Sequence, residues 1–393
     1  MKRRGFLQGL AGVTVVVVGG TVWRSADQGV FSAGNGPAYE PWSDWRAASE
    51  SGPLALVRAG ILAANPHNTQ PWIFRVDEDA VELYADRTRN LGTFDPYLRE
   101  MHLGLGCAVE NMMRAARANG YSAELAFSEG TLGPIDSQPE QARVARIALS
   151  EVGPTEDALH DAIPRRHTNR GPYDSQRPVS SAALSSLAAM ADDDDGVGIM
   201  MFTENQAIAA CWQLIVEATE AIIADEPMVT DSERWFRHSW EEVQAHRDGP
   251  TLDAAGLSPV MTAIAKVMPR SSAETNHRYW LDATRDVQVA TAPAFGLIGV
   301  QDLYDRAQTL GAGRIWQRMH LWATTQGLAM QPLNQPVERV DRERELGFEP
   351  KAARALGRLV GEADWQPTFV FRVGYPSRGA SPSPRRSAEQ VLV

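Results

Sequence analysis

The 393-residue sequence predicts an α+β or three-layer protein on mixed sheets, with material for two domain-sized units. Helix-like and strand-like runs alternate along it, and a hairpin sits among them. No short repeat occurs, and neither a TIM barrel nor an all-β sandwich fits that alternation.

The first residues stand apart from the fold. Lys2, Arg3 and Arg4 precede an uncharged Gly- and Val-rich run, Phe6 to Trp23, the pattern of a twin-arginine export signal or a membrane anchor, read over residues 1–26. Ser25-Ala26 is a weak cleavage site, and cutting there would move the formal charge from -11 to -15. Residues 27–48 read as a Gly/Pro/Ser/Trp linker.

The first unit spans 49–150. PLALVRAGILAA reads as a helix and WIFRVDEDAVELYAD as a hairpin turning at Asp77 to Asp79. A longer helix follows, with Asp95 as N-cap, Pro96 at the first helical position, Gly120 as the stop, and Leu98, Met101, Leu105, Val109, Met112 and Ala116 as its core stripe. AELAFS and ARVARIALS are strand candidates.

The second unit, 151–393, opens with a helix near Glu156 to Ile163, the loop RRHTNRGPY and a Ser/Ala-rich helix ending at the acidic turn Asp192 to Asp195. VGIMMF reads as a strand and QAIAACWQLIVEATEAIIADEP as a long helix. Residues 228–292 lack clear periodicity and read as an insertion. GAGRIWQRMHLWATTQG is a helix ending at Gly327, LAMQPLNQP a loop, TFVFRVGYP a strand and SPSPRRS a basic tail.

Composition narrows function. A net charge of -11 and a pI near 5.3 supply no basic field for nucleic acid. Cys107 and Cys211 lie in apolar helical runs and read as buried thiols. GLGCAV at Gly104 has two glycines of a dinucleotide fingerprint, but Val109 holds the third position inside a helix. There is no phosphate-loop Lys-Ser/Thr signature and no GxSxG elbow. Arg165, Arg166 and Arg170 surround His167 and Asn169, while Arg385 and Arg386 follow the last strand. Such forked donors suit a phosphate, although Arg pairs are also ordinary surface features.

The stretch NPHNTQPW, with NxQPW as Asn68 to Trp72, together with RRHTNRGPY and a GYP-ended strand, resembles the flavin-binding nitroreductase superfamily. It is most similar to the long acg-type branch, in which two nitroreductase-like halves are fused in tandem. The resemblance implies an α+β FMN-binding fold with two sheets packed by helices, a pseudo-dimer in one chain. The first half carries only the NxQPW wall and the second only the arginines, which implies one composite FMN site and a second, lost one. Arg165, Arg166, Arg170, Arg385 and Arg386 would hold the phosphate or ribityl end, beside His167 and Asn169. Asn68 and Gln70 would bond the polar ring edge, with Pro66 and His67 lining it. Met330, Gln331, Pro332 and Leu333 would face the ring near N5, and Trp72 would be core. Ala64-Asn65 stands where Pro-Ser is common, and His167 where Ser is.

The function so implied is an FMN-dependent oxidoreductase that passes electrons from NAD(P)H to a small nitroaromatic or quinone-like acceptor. The alternative is a flavin-sequestering protein whose insertion covers the ring, with SERWFRHSW, Ser232 to Trp240, either lid or packed amphipathic helix. The export signal implies the twin-arginine translocase as a partner, an extracytoplasmic location, and membrane contact only through the N-terminus.

Overall fold

A computed structural model describes residues 24–46, 52–192, 196–361 and 364–393. The basic and apolar N-terminal residues up to Trp23, and most of the acidic turn, lie outside them.

In the first half, α1 (Glu40–Asp44) and α2 (Leu54–Gly60) precede the hairpin of β1 (Trp72–Val76) and β2 (Ala80–Asp86). The long α3 (Arg99–Ala118), β3 (Tyr121–Phe127) and β4 (Gln141–Glu151) complete an antiparallel sheet of order β1-β2-β4-β3. The hairpin pairs as its alternation demands, Trp72 opposite Ala85 and Val76 opposite Val81.

In the second half, α4 (Ala158–Ala162) and α5 (Ser181–Ala188) lead to β5 (Val197–Phe202) and α6 (Asn205–Ile223). Helix α6 is long and apolar enough to cross a membrane, yet Cys211, Ile215 and Ile222 on one side of it are buried in the protein. Four helices follow, α7 (Glu226–Glu233), α8 (Trp240–His246), α9 (Pro259–Val267) and α10 (Ala273–Asp282). Then come β6 (Ala294–Val300), α11 (Arg306–Thr325), β7 (Ala329–Pro332), α12 (Gln335–Glu345), α13 (Lys351–Val360) and β8 (Gln366–Gly374). Their sheet runs β5-β6-β8-β7. Each half thus places its long helix between its second and third strands and inserts its last strand beside its second, giving the α+β architecture of two matching halves.

Helices α3 and α11 lie against each other at the centre, and two glycines let them approach. A Cβ on Gly106 would overlap the Leu310 carbonyl, and one on Gly313 the Leu103 carbonyl. That reciprocity, residue for residue, is the property of a twofold contact. The Cys107 thiol donates to Gly313 O at 3.2 Å, and both cysteines are buried and free, as expected. The near-fingerprint glycines therefore serve packing: Gly106 admits α11, while a Cβ on Gly104 would stand 2.9 Å from Pro66 Cδ of the NPHNTQPW stretch.

Several sequence expectations give way. Helix α3 begins at Arg99, not beside Asp95, because Leu98 takes a left-handed φ of 59°. Asp95 still caps it from a distance, its carboxylate accepting from Glu100 N at 3.0 Å and Met101 N at 2.9 Å. The insertion holds four helices that their polar composition hid, and the stretch after it begins with an unforeseen central strand, β6, buried throughout. The expected loop Met330–Leu333 contains the edge strand β7, paired with β8 through Met330↔Val373. The supposed linker is packed: Ala38 O accepts from Arg385 N at 2.7 Å, and Trp42 Nε1 donates to Ser383 O at 2.8 Å.

Candidate functional site

The site is assembled where α2 ends. Its last turn tightens through Leu62 N to Ala59 O at 3.2 Å and Ala63 N to Gly60 O at 3.1 Å. The carbonyls of Leu62 and Ala63 then point out of a helix C-terminus, where cations are favoured. Two guanidiniums remote in sequence take them. Arg166 Nη2 donates to Leu62 O, and Arg385 Nη2 to Ala63 O, each at 3.1 Å.

The NPHNTQPW stretch continues from that point as a strained loop. His67, Asn68 and Gln70 have φ of 46°, 51° and 52°, left-handed values that non-glycine residues seldom adopt. Asn65 holds the loop in this shape: its Oδ1 accepts from Gln70 N at 2.8 Å and its Nδ2 donates to Ala63 O at 3.2 Å. An Asn at this position therefore supplies a side-chain clip. Trp72, as expected, is core.

Asn68 ties the wall to the tail. Its Oδ1 accepts from Arg385, 317 residues away, and its Nδ2 donates to Pro384 O at 2.9 Å. Arg386 donates to Gln70 O at 2.6 Å, and its backbone N donates to Gln70 Oε1 at 2.8 Å. The wall and the two arginine segments, distant along the chain, thus meet in one place.

Electrostatics make the place unusual. Arg166 is 2% exposed and Arg385 3%, yet among the described residues no carboxylate forms an ion pair with either, nor with Arg170. The Nε atoms of Arg166 and Arg385 are buried without a hydrogen-bond partner. Burial pulls the Arg166 guanidinium down to about 10, and burial, with Arg166 nearby, holds that of Arg385 well below its ordinary value. Arg166 stays cationic at neutral pH. Burial, then Arg166 and Arg385, lowers His167 to about 3, while burial and Arg170 lower His67 to about 4. These imidazoles are neutral and add no charge.

The donor set fits a buried anion. Burying a charge costs several kcal/mol unless it is compensated, and two adjacent guanidiniums with spare N–H donors match a phosphate dianion. A cavity of about 290 Å³ is lined by Asn169, Arg170, Arg378, Lys266 and segments of the insertion, and by neither Arg166, Arg385 nor any residue of the NPHNTQPW stretch. That is near the lower limit of ligand sites, about 300 Å³.

The other predicted residues are placed differently. Arg165 is exposed and turns back to Asp161 O, away from the cluster. Asn169 is a structural clip, donating to Arg378 O at 2.8 Å and accepting from Gly171 N at 3.0 Å. The ring-edge amides are already engaged: Gln70 Nε2 donates to Arg247 O at 2.8 Å, and Asn68 Nδ2 also reaches Gly249 O at 3.3 Å. Pro66 packs near Gly104, and His67 Nε2 meets Ser232 Oγ at 2.8 Å. Met330 and Leu333 are buried in the two cores, Gln331 Oε1 accepts from Arg372 at 2.8 Å, and this segment does not line the cavity at Arg170. The ring-facing groups of the expected site are thus engaged within the protein, by sheet pairing and by the insertion.

Sequence reasoning missed Trp42. The Arg385 guanidinium lies 4.9 Å from its ring centroid, and the His167 ring packs edge-on at 4.7 Å. The tryptophans of PWSDW, unusual for a linker, were the available signal. Arg378 was also missed, since nothing in GYPSRG marks it.

Fold and site define a two-half α+β protein with an uncompensated buried guanidinium pair at the junction of its wall and tail. No family model matches the chain. It is 26% identical over 343 residues, 86% of this chain and 90% of the relative, to the Mycobacterium tuberculosis H37Rv protein named "Putative NAD(P)H nitroreductase Rv3131". The same values hold for the CDC 1551 protein of that species named "Putative NAD(P)H nitroreductase MT3217". Among solved structures it resembles the FMN-dependent nitroreductase NfnB of Mycobacterium smegmatis in complex with NADPH, at 14% identity and TM-score 0.36, covering 59% of this chain and 96% of that one. A Bacteroides fragilis nitroreductase with bound FMN matches at 12% identity and TM-score 0.32, covering 59% and 95%.

Proposed function

We propose that the chain is an FMN-dependent oxidoreductase of nitroreductase type, using NAD(P)H as donor and a small nitroaromatic or quinone-like molecule as acceptor. The observation that carries this reading is the buried Arg166–Arg385 cluster, which lacks a carboxylate and is bonded through Asn68 to the NPHNTQPW wall. The relatives' names point the same way.

When bound, FMN supplies hydride and electron transfer. Arg166 and Arg385 would hold its phosphate through their unpartnered Nε donors, and Arg170, which lines the cavity, would add a cation. Arg386 stiffens the wall by gripping Gln70 O. His67 and His167, neutral near pH 7, leave the anion's charge to the arginines. The insertion excludes water from the wall. The site is composite, one half giving the wall and the other the cations, in a chain that imitates a twofold pair with itself; matching strand orders and the reciprocal glycines support this. Export by the twin-arginine route, from the sequence of residues 1–26, belongs to the same proposal.

One observation favours the second reading, flavin sequestration. Ser232, Arg247 and Gly249 of the insertion occupy the wall's polar groups, so the cover is in place. Purified full-length chain, loaded with FMN and titrated anaerobically with NADH or NADPH, separates the two. Bleaching that a quinone or nitroarene reverses is expected for the enzyme. Flavin that binds but stays oxidised means sequestration, and failure to bind FMN at all overturns both.

A further inference from the structure

The cavity at Arg170 carries an excess of positive charge. Its lining holds three cations, Arg170, Lys266 and Arg378, against one carboxylate, Asp253. Lys266 Nζ and Asp253 Oδ2 lie 2.6 Å apart with both side chains 8% exposed, so that carboxylate is already neutralised. Among the described residues no ion pair involves Arg170 or Arg378. Both cations therefore remain uncompensated, in a chain whose net charge is -11.

Each guanidinium is fixed through one nitrogen. Arg170 Nη1 donates to Ala254 O at 3.2 Å and Arg378 Nη2 to Gly256 O, two carbonyls of the insertion segment that borders the cavity. Their other N–H groups make no hydrogen bond among the described residues, and none of those nitrogens is sealed from solvent, so a ligand can reach them. The frame around them is built. Asn169 clips loops 168–171 and 378–381 together, donating to Arg378 O at 2.8 Å and accepting from Gly171 N at 3.0 Å. Gly256, with φ of 81°, lets the insertion close on Arg170, since a Cβ there would lie 2.4 Å from the Arg170 carbonyl carbon.

Size and polarity narrow the ligand. A volume of about 290 Å³ accepts roughly ten non-hydrogen atoms if each takes the share of a liquid water, and Val30, Leu257 and Ala263 give the lining an apolar side. A planar carboxylate offers two oxygens to forked guanidinium donors. A second negative charge would meet the Asp253 carboxylate, which favours a monoanion. We propose that this cavity binds a small organic monocarboxylate, its carboxylate between Arg170 and Arg378 and its aromatic or short aliphatic body against Leu257 and Ala263. The inference does not rest on the flavin reading, because neither the Arg166–Arg385 cluster nor the NPHNTQPW wall lines the cavity.

Calorimetric titration of the full-length protein, free and with saturating FMN, tests it with three probes: benzoate, its neutral counterpart benzamide, and inorganic phosphate. Benzoate should bind at least about 10-fold tighter than either of the others, in both forms of the protein. Arg378→Gln should weaken benzoate at least about 10-fold, the loss of one charge-assisted partner. Ala263→Phe, which fills the cavity and leaves its charges intact, should abolish binding, with thermal melting confirming that each variant is folded. Equal affinity for benzoate and benzamide overturns the proposal, as does a preference for phosphate or undiminished benzoate binding in both variants. Loss of benzoate on adding FMN overturns it too, by assigning the cavity to the flavin. Should FMN not bind, the flavin reading fails while the titration of the free chain still decides this one.

Discussion

Two buried charge clusters in this molecule differ in one respect. At the α3–α11 contact, Glu110 is fully buried and meets Arg114 at 2.7 Å, Arg318 at 2.9 Å and Arg314 at 3.2 Å. Despite the cost of burial, those hydrogen bonds and charges pull its carboxyl down to about 2. At the end of α2, Arg166 and Arg385 are equally buried and meet carbonyls, a side-chain amide, the Trp42 ring, the neutral His167 and each other, with no carboxylate ion pair among the described residues. The first cluster is closed and holds two halves together. The second has no carboxylate partner among the described residues, and on that observation rests the proposal that it holds an anion.

Breaking the open cluster should give the largest effect. Arg166→Met with Arg385→Met removes two charge-assisted partners of about 1.5–3 kcal/mol each, so FMN affinity should fall at least about 100-fold. Thermal unfolding of the flavin-free protein should shift little, since replacing uncompensated buried cations with apolar groups is neutral or stabilising. Fluorescence titration and melting together check this; retained affinity would remove the phosphate assignment.

Opening the closed cluster comes next. Glu110→Gln leaves three arginines facing a neutral amide and should cost about 3–5 kcal/mol in denaturant unfolding, with no direct effect on flavin affinity. The pH dependence has a definite sign. Because the folded carboxyl lies below its unfolded value of 4.5, its contribution is complete above about pH 4.5 and is lost as pH falls toward about 2. Wild type should lose about 3 kcal/mol over that range that the variant does not.

The helix contact itself gives an intermediate effect. Gly313→Ala drives a methyl into the Leu103 carbonyl and should destabilise by about 1–3 kcal/mol, whereas Gly357→Ala, with open space around it, should be neutral or slightly stabilising. Equal effects would mean the α3–α11 approach is not tight.

The smallest effect concerns Glu100, whose carboxyl burial raises to about 7 although Arg99 opposes it. A raised carboxyl stabilises only while protonated, so this contribution is complete below about pH 4.5 and lost as pH rises through about 7. Glu100→Gln should be more stable relative to wild type at pH 8 than at pH 4.5, read from urea midpoints at both.

Legibility followed local physics. The β1–β2 hairpin, the core stripe of α3 and the buried cysteines could be read because alternation, periodicity and apolarity are local properties of the chain. Helix α12, with its sequence QPVERVDRERE, gave no apolar stripe to read, since its burial comes from partners such as Arg99, which bonds Asp341 at 2.8 Å. Strand β7 is four residues long and ends at Pro332, so only pairing with β8 marks it. In the site, the arginines and the wall were recognisable, but Gly249, Arg247 and Ser232, which also bond Asn68, Gln70 and His67, lie in an insertion whose path no local rule specifies.

What the sequence determined by itself was the inventory: an uncharged N-terminal run, two sets of helices and strands, a wall rich in amides and arginines in excess of nearby acids. What only the tertiary structure decided was which arginines would be left without a counter-charge. Compensation depends on distances between groups far apart along the chain, as with Arg166 and Leu62 or Arg385 and Asn68. Burial, which gives those distances their energetic weight, exists only once both halves have packed.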